Sequence, residues 1–74
     1  MPHSIKKGKY RHYKGQYYEL IDIATHSETL EKMVIYRALY NDFSLWVRPY
    51  DMFFETIKHN GQIQQRFEFI NDHI

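Results

Sequence analysis

Three groups of residues in this 74-residue sequence have types and spacings that suit chemistry. The first is His26-Ser-Glu-Thr-Leu-Glu31. A histidine two residues from Glu28 has the makings of a general base with an orienting carboxylate, and Ser27 and Thr29 are nucleophiles by type. The competing reading is a polar loop whose side chains cap backbone groups, the usual work of short polar residues between strands.

The second group is Arg37 and Arg48, set among Tyr36 and the single tryptophan, Trp46. Guanidinium groups stack well on aromatic rings. A surface of this kind suits an anionic or proline-rich ligand. The alternative is an arginine that pairs with Glu19, Glu28 or Glu55 and covers aromatic surface with its stem.

The third group, Lys6, Lys7, Lys9, Tyr10, Arg11, Tyr13 and Lys14, interleaves bases with rings, as single-stranded nucleic acid binding requires. Residues 1–18 carry a charge of +5 and the rest of the chain −4, an asymmetry hidden by the net charge of +1. A dedicated binder should carry a longer basic stripe. The five histidines are scattered without helical i, i+4 spacing, and there is no cysteine. No metal or cofactor site is assigned.

The elements that must position these groups are short strands. Lys9–Tyr13 and Tyr17–Ala24 flank Lys14-Gly15, read as a two-residue turn. Neither face of Tyr17–Ala24 is cleanly polar, which suggests a long, bent strand passing between sheets. Met33–Tyr40 and Leu45–Arg48 form a hairpin about Asn41-Asp-Phe-Ser44. Pro49 cannot donate to a ladder and is well placed to start a helix, so Pro49–Phe53 is expected to form one 3₁₀ or α turn. Phe54–Lys58 and Ile63–Ile70 flank Asn60-Gly61, the strongest hairpin signal in the chain. In the last strand Ile63, Phe67 and Phe69 are expected inward and Arg66 and Glu68 outward. Phe53 and Phe54 are also assigned to the core, and a lone tryptophan such as Trp46 is more often core than ligand platform in a domain this small.

Thirteen aromatic residues, 18% of the chain, take the place of disulfides in filling a small core. The expected fold is all-β, a small SH3-like antiparallel barrel. A flexible basic arm over residues 1–8 precedes a single domain over 9–70, with a tail over 71–74. No apolar run is long enough for a membrane span, and absence of cysteine fits a soluble cytoplasmic protein.

From Tyr10 to Phe69, about four fifths of the chain, the sequence resembles a small bacterial family known only as a domain of unknown function, DUF1653. The resemblance rests on Tyr10-Arg-His-Tyr-Lys-Gly15, His26-Ser-Glu-Thr-Leu-Glu31, Val34-Ile-Tyr-Arg-Ala-Leu-Tyr40 and Leu45-Trp-Val-Arg-Pro49, followed by Met52-Phe53 and Glu55. It departs at Asn41, where the family often has Gly; Asn also tolerates a left-handed backbone. The resemblance implies a compact bacterial domain and no particular activity.

The favoured function is therefore a non-catalytic interaction module. Its surface would be Tyr36, Arg37, Trp46 and Arg48, with the His26 and Glu28 loop beside it. Its partner would be a protein or peptide, and the domain itself a monomer or a homodimer. The alternatives are single-strand RNA or DNA binding through Lys6–Lys14, and a small enzyme centred on His26 and Glu28.

Overall fold

The computed structural model describes residues 6–73. The elements, in chain order, are β1 (Gly8–His12), β2 (Tyr17–Thr25), β3 (Lys32–Ala38), β4 (Leu45–Pro49), α1 (Tyr50–Phe53), β5 (Thr56–His59), β6 (Gln62–Gln65) and β7 (Phe67–Asn71). The all-β, antiparallel class is as expected. Five strands form one sheet in the order β4-β3-β2-β1-β7, and β5 and β6 form a separate hairpin. Among the described residues no barrel closes, because β4 and β7 end the large sheet as edges.

The first strand starts at Gly8, and the last runs to Asn71. Of the arm expected over residues 1–8, positions 1–5 lie outside the described residues, and so does Ile74 of the tail.

β2 explains its own mixed pattern. Leu20 faces Tyr36 on β3, but Asp22 faces Ile35, so Ile21 is an extra residue. This bulge switches the inward parity from Tyr18 and Leu20 to Ile23, and the strand bends within one sheet instead of crossing to another. The turns follow local backbone preference. Asn60 and Gly61 both have positive φ, 53° and 78°, the type I′ geometry that suits the twist of a two-residue hairpin. The β1–β2 connection is one residue longer than expected: Tyr13-Lys14-Gly15, closed by His12 N–H on Gln16 O at 2.8 Å. Between β3 and β4 the chain leaves the ladder after Ala38, and Asn41 takes the left-handed conformation, φ 53°.

Pro49, at φ −54° and ψ 140°, ends β4 and launches α1, a single turn closed by Phe54 N–H on Tyr50 O at 3.1 Å. That turn swings Phe53 onto the sheet. Its ring is fully buried and stacks on Phe67, centroids 4.1 Å apart and planes 3° from parallel. Tyr10 and Tyr36 meet Phe53 edge-on at 5.4 and 5.3 Å. Leu20 and Val34 complete the buried set, with Phe54 and Phe69 packed against it. Burying each large side chain contributes about 1.5–3 kcal/mol, so an aromatic core offsets the short length.

Two expectations about facing fail. The strand expected over 63–70 breaks at Arg66, because β6 pairs with β5 while β7 pairs with β1. Arg66 holds the junction: its N–H donates to Glu55 O at 3.0 Å, and its carbonyl accepts from Tyr13 N–H at 2.9 Å. Its guanidinium also forms a half-buried ion pair with Glu55, with Nε 2.8 Å from Oε2. Ile63 consequently lies on the outlying hairpin, 78% exposed. Trp46 is 55% exposed instead of buried, since β4 is the sheet's edge.

Candidate binding site

The register of β3 and β4 sorts the predicted residues by face. Tyr36 pairs with Trp46 and Val34 with Arg48, so these four share the core side of the sheet. Arg37 pairs with Leu45 and therefore lies on the opposite side, where its Nη1 donates to Phe43 O at 2.8 Å. The two arginines are not neighbours: adjacent strand positions alternate faces, and 37 and 48 differ in parity within this register.

Arg48 sits where the core reaches solvent. Its Nε donates to the Tyr36 hydroxyl at 3.3 Å, and its guanidinium lies 5.6 Å from the centre of the Phe67 ring. Tyr36 itself is buried, so its hydroxyl is the part that reaches the site. Among the described residues no carboxylate comes within ion-pair distance of Arg48. The positive charge is thus held by a phenol and a ring face, without neutralisation. Trp46, across from Tyr36, forms the exposed flank.

Further phenols line this mouth. The Tyr18 and Tyr40 hydroxyls share a hydrogen bond of 2.7 Å, and the Tyr18 ring meets Tyr36 and Phe67 edge-on. Burial, followed by that hydrogen bond, holds the Tyr18 phenol above its ordinary pKa, so it stays neutral as a donor or acceptor. His12 packs on Tyr13 and Phe67, ring centres 4.5 and 4.8 Å away. Its Nδ1 accepts the Lys14 N–H at 3.2 Å, which leaves the proton of the neutral ring on Nε2.

Burial first, then the charges of Arg48, Arg66 and Lys14, hold the His12 pKa below its ordinary value of 6.5. A histidine that protonates more readily when unfolded draws the chain toward the unfolded state as pH falls. The His12 contribution to stability is therefore complete above the unfolded pKa and declines as pH drops through it toward the folded value. Urea denaturation at a series of pH values should show this acid limb. His12→Asn, which keeps an acceptor for Lys14 N–H, should flatten it; an unchanged limb would remove His12 as the cause.

His26 and Glu28 stand apart from Arg37. They lie in the β2–β3 loop, and Arg37 is near the other end of β3, on the order of 20 Å of strand away. The His26 Nδ1 accepts from Glu28 N–H at 3.1 Å and Thr29 N–H at 3.3 Å, and Thr29 Oγ1 accepts from Glu31 N–H at 3.2 Å. These side chains cap the loop, whose Leu30 is left-handed at φ 62°. The nitrogen that would face an orienting carboxylate is occupied by backbone.

The basic residues of the first strand are dispersed. Tyr10 is in the core, 3% exposed, with its hydroxyl on Lys6 O at 2.6 Å. Lys6 lies over Phe69, Lys9 over Tyr17 and Lys14 over Tyr13, while Lys7 approaches Asp22 to 3.6 Å. Across the sheet Lys9 faces Glu19, and Arg11 faces Tyr17 on one side and Glu68 on the other. Arg11 and Tyr13 also line a cleft of about 300 Å³ with His12, Gln64, Gln65 and Glu68. No group of three His, Asp or Glu side chains suits a metal ion among the described residues. Among the described residues no helix is long and apolar enough to cross a membrane.

Tyr18 and Tyr40 suit core or binding surface by sequence, but sequence reasoning missed that His12 and Phe67 join them on the side of the sheet where Arg48 lies. The available signal was parity: Tyr10 and His12 share a face, as do Tyr18 and Leu20. It also missed the pairing of Glu55 with Arg66.

The same architecture occurs in a crystal structure of a DUF1653 protein from Bordetella bronchiseptica, with a TM-score of 0.86 and 32% sequence identity over 96% of this chain and 92% of that one. No curated protein matches the chain. The model of the family described as "Protein of unknown function (DUF1653)" matches residues 8–69, from the glycine that opens β1 to the phenylalanine of β7. With its matched segment running from the start of β1 into β7, the chain belongs to the DUF1653 family.

Proposed function

We propose that this domain is a non-catalytic interaction module that docks an extended protein segment along β4, read by Trp46, Arg48 and the Tyr36 hydroxyl. The observation that carries this reading is the state of β4. It is an edge strand, and Leu45, Trp46 and Val47 are each more than half exposed. Edge strands are normally guarded by charge, proline, bulges or a covering element; in β4 charge and proline stand only at the end, at Arg48 and Pro49, and residues 45–47 offer a template for strand addition. Arg48 adds a cation without a carboxylate partner, able to fix the register of an acidic side chain on the incoming segment. The absence of cysteine fits work in the reducing cytoplasm.

Panning a random peptide library against the immobilised domain tests the reading, with the fluorescence of the single tryptophan as readout in solution. Selected peptides should carry a β-forming stretch with an acidic residue. Trp46→Ala and Arg48→Gln should each weaken binding by about tenfold or more, as exposed Trp and Arg anchors do. Selected peptides that bind both variants as well as the wild type would sink it.

A further inference from the structure

The free edge of β4 has a hydrogen-bonding pattern complementary to its own reverse. Ala38 N–H donates to Ser44 O at 3.0 Å, and the β3–β4 register continues without a shift. Directly bonded pairs alternate along an antiparallel ladder, so Trp46 and Arg48 turn their backbone groups toward β3. Leu45, Val47 and Pro49 turn theirs outward. The outward groups are thus the N–H and C=O of Leu45 and Val47 and the C=O of Pro49, whose missing N–H breaks no bond within the sheet.

We infer that the partner of this edge is a second copy of the chain, paired antiparallel with β4 about a two-fold axis at Val47. The inference rests on the reading of β4 as a docking edge and names an occupant in which an indole, in place of an acidic side chain, meets Arg48. In that register Val47 exchanges both backbone bonds with Val47 of the second copy. Leu45 N–H meets the Pro49 carbonyl of the second copy, and the reverse. Every outward N–H finds an acceptor, and within Leu45–Pro49 the carbonyl of each Leu45, which faces the missing N–H of Pro49, is the one outward group without a partner in the ladder.

The side chains agree. Trp46 of each copy lies directly opposite Arg48 of the other, in the closer, non-hydrogen-bonded type of pair. One face of the Arg48 guanidinium is already over Phe67, and the indole supplies a ring for the other. The two guanidiniums are each set against a ring instead of against one another. Such a contact is isologous and closes at two copies, as a self-complementary patch must.

Sedimentation over about a hundredfold range of concentration should show reversible growth from the 9.1 kDa chain to twice that mass. Val47→Lys sets like charges across the axis and should raise the dimer dissociation constant by about tenfold or more. The chain has no cysteine, so Val47→Cys gives a single thiol. Its Cα would stand about 5.5 Å from its symmetry mate, inside the range that a disulfide spans. Under mild oxidation it should cross-link much faster than Ile63→Cys on the outlying hairpin, a position 78% exposed. A wild-type chain that stays monomeric overturns the inference. So does a dimer in which Val47→Lys changes nothing or the Ile63→Cys thiol links as fast. If the chain is monomeric but peptide binding still depends on Trp46 and Arg48, the docking edge stands and only its self-pairing falls.

Discussion

Phe53→Ala is expected to remove a large share of the stability of this domain. The ring is fully buried, stacked on Phe67, and in edge contact with Tyr10 and Tyr36, so its removal empties the centre of the core. Phe-to-Ala changes at such sites cost about 3–5 kcal/mol. A domain of this length has a total stability of roughly 4–11 kcal/mol, so one truncation removes a third to most of it. Urea denaturation followed by circular dichroism measures the loss. Met52→Ala, on the same helical turn but 44% exposed, is the control and should stay within about 0.5 kcal/mol of the wild type. A Phe53→Ala loss no larger than that of Met52→Ala would show that the four rings do not act as the keystone of the core.

Gly8→Ala is expected to separate the start of β1 from the end of β7. Gly8 has φ +138°, a region that side chains strain to occupy, at a cost of roughly 1–3 kcal/mol. A Cβ there would stand 2.5 Å from Asn71 O and 2.7 Å from Asp72 Cα, and both atoms are backbone. Neither can swing away as the tip of a side chain can, so the strand pair itself must part. Gly15→Ala is also strained, at φ +106°, but its Cβ would meet nothing within 4 Å. The excess loss of Gly8→Ala over Gly15→Ala therefore isolates the collision. Hydrogen exchange should place that excess on the β7 amides paired with β1. Equal losses, with β7 protection intact, would contradict the close approach.

The residues proposed to form the docking surface differ in setting from the other candidate groups. Tyr10 lies inside, and the lysines of the first strand face rings and acids, so little of the basic segment is presented together. His26 spends its acceptor nitrogen on two backbone amides. Arg48 differs from both, being a cation held in place by aromatic groups with no carboxylate at ion-pair distance among the described residues.

Much of the fold was legible because it is written in local preference. Asn60-Gly61 has a turn type matched to a two-residue hairpin, Pro49 ends a strand and launches a turn, and alternating Val34, Tyr36 and Ala38 are all buried. The candidate site was legible only in part. Tyr36, Trp46 and Arg48 were picked out and do come together, whereas Arg37 fell on the wrong face and His26 with Glu28 lay in the loop at the far end of β3.

Taken alone, the amino-acid order determined the all-β class, the sites of the tight turns and the aromatic stock of the core, since each depends on neighbours a few positions away. Tertiary structure decided the rest. One extra residue at Ile21 reverses which side of β2 faces inward, and the position of β4 at the sheet's edge leaves Trp46 in solvent. Both are properties of strands in register, where a slip of one residue exchanges every face, and no stretch of sequence read by itself carries its partner's register.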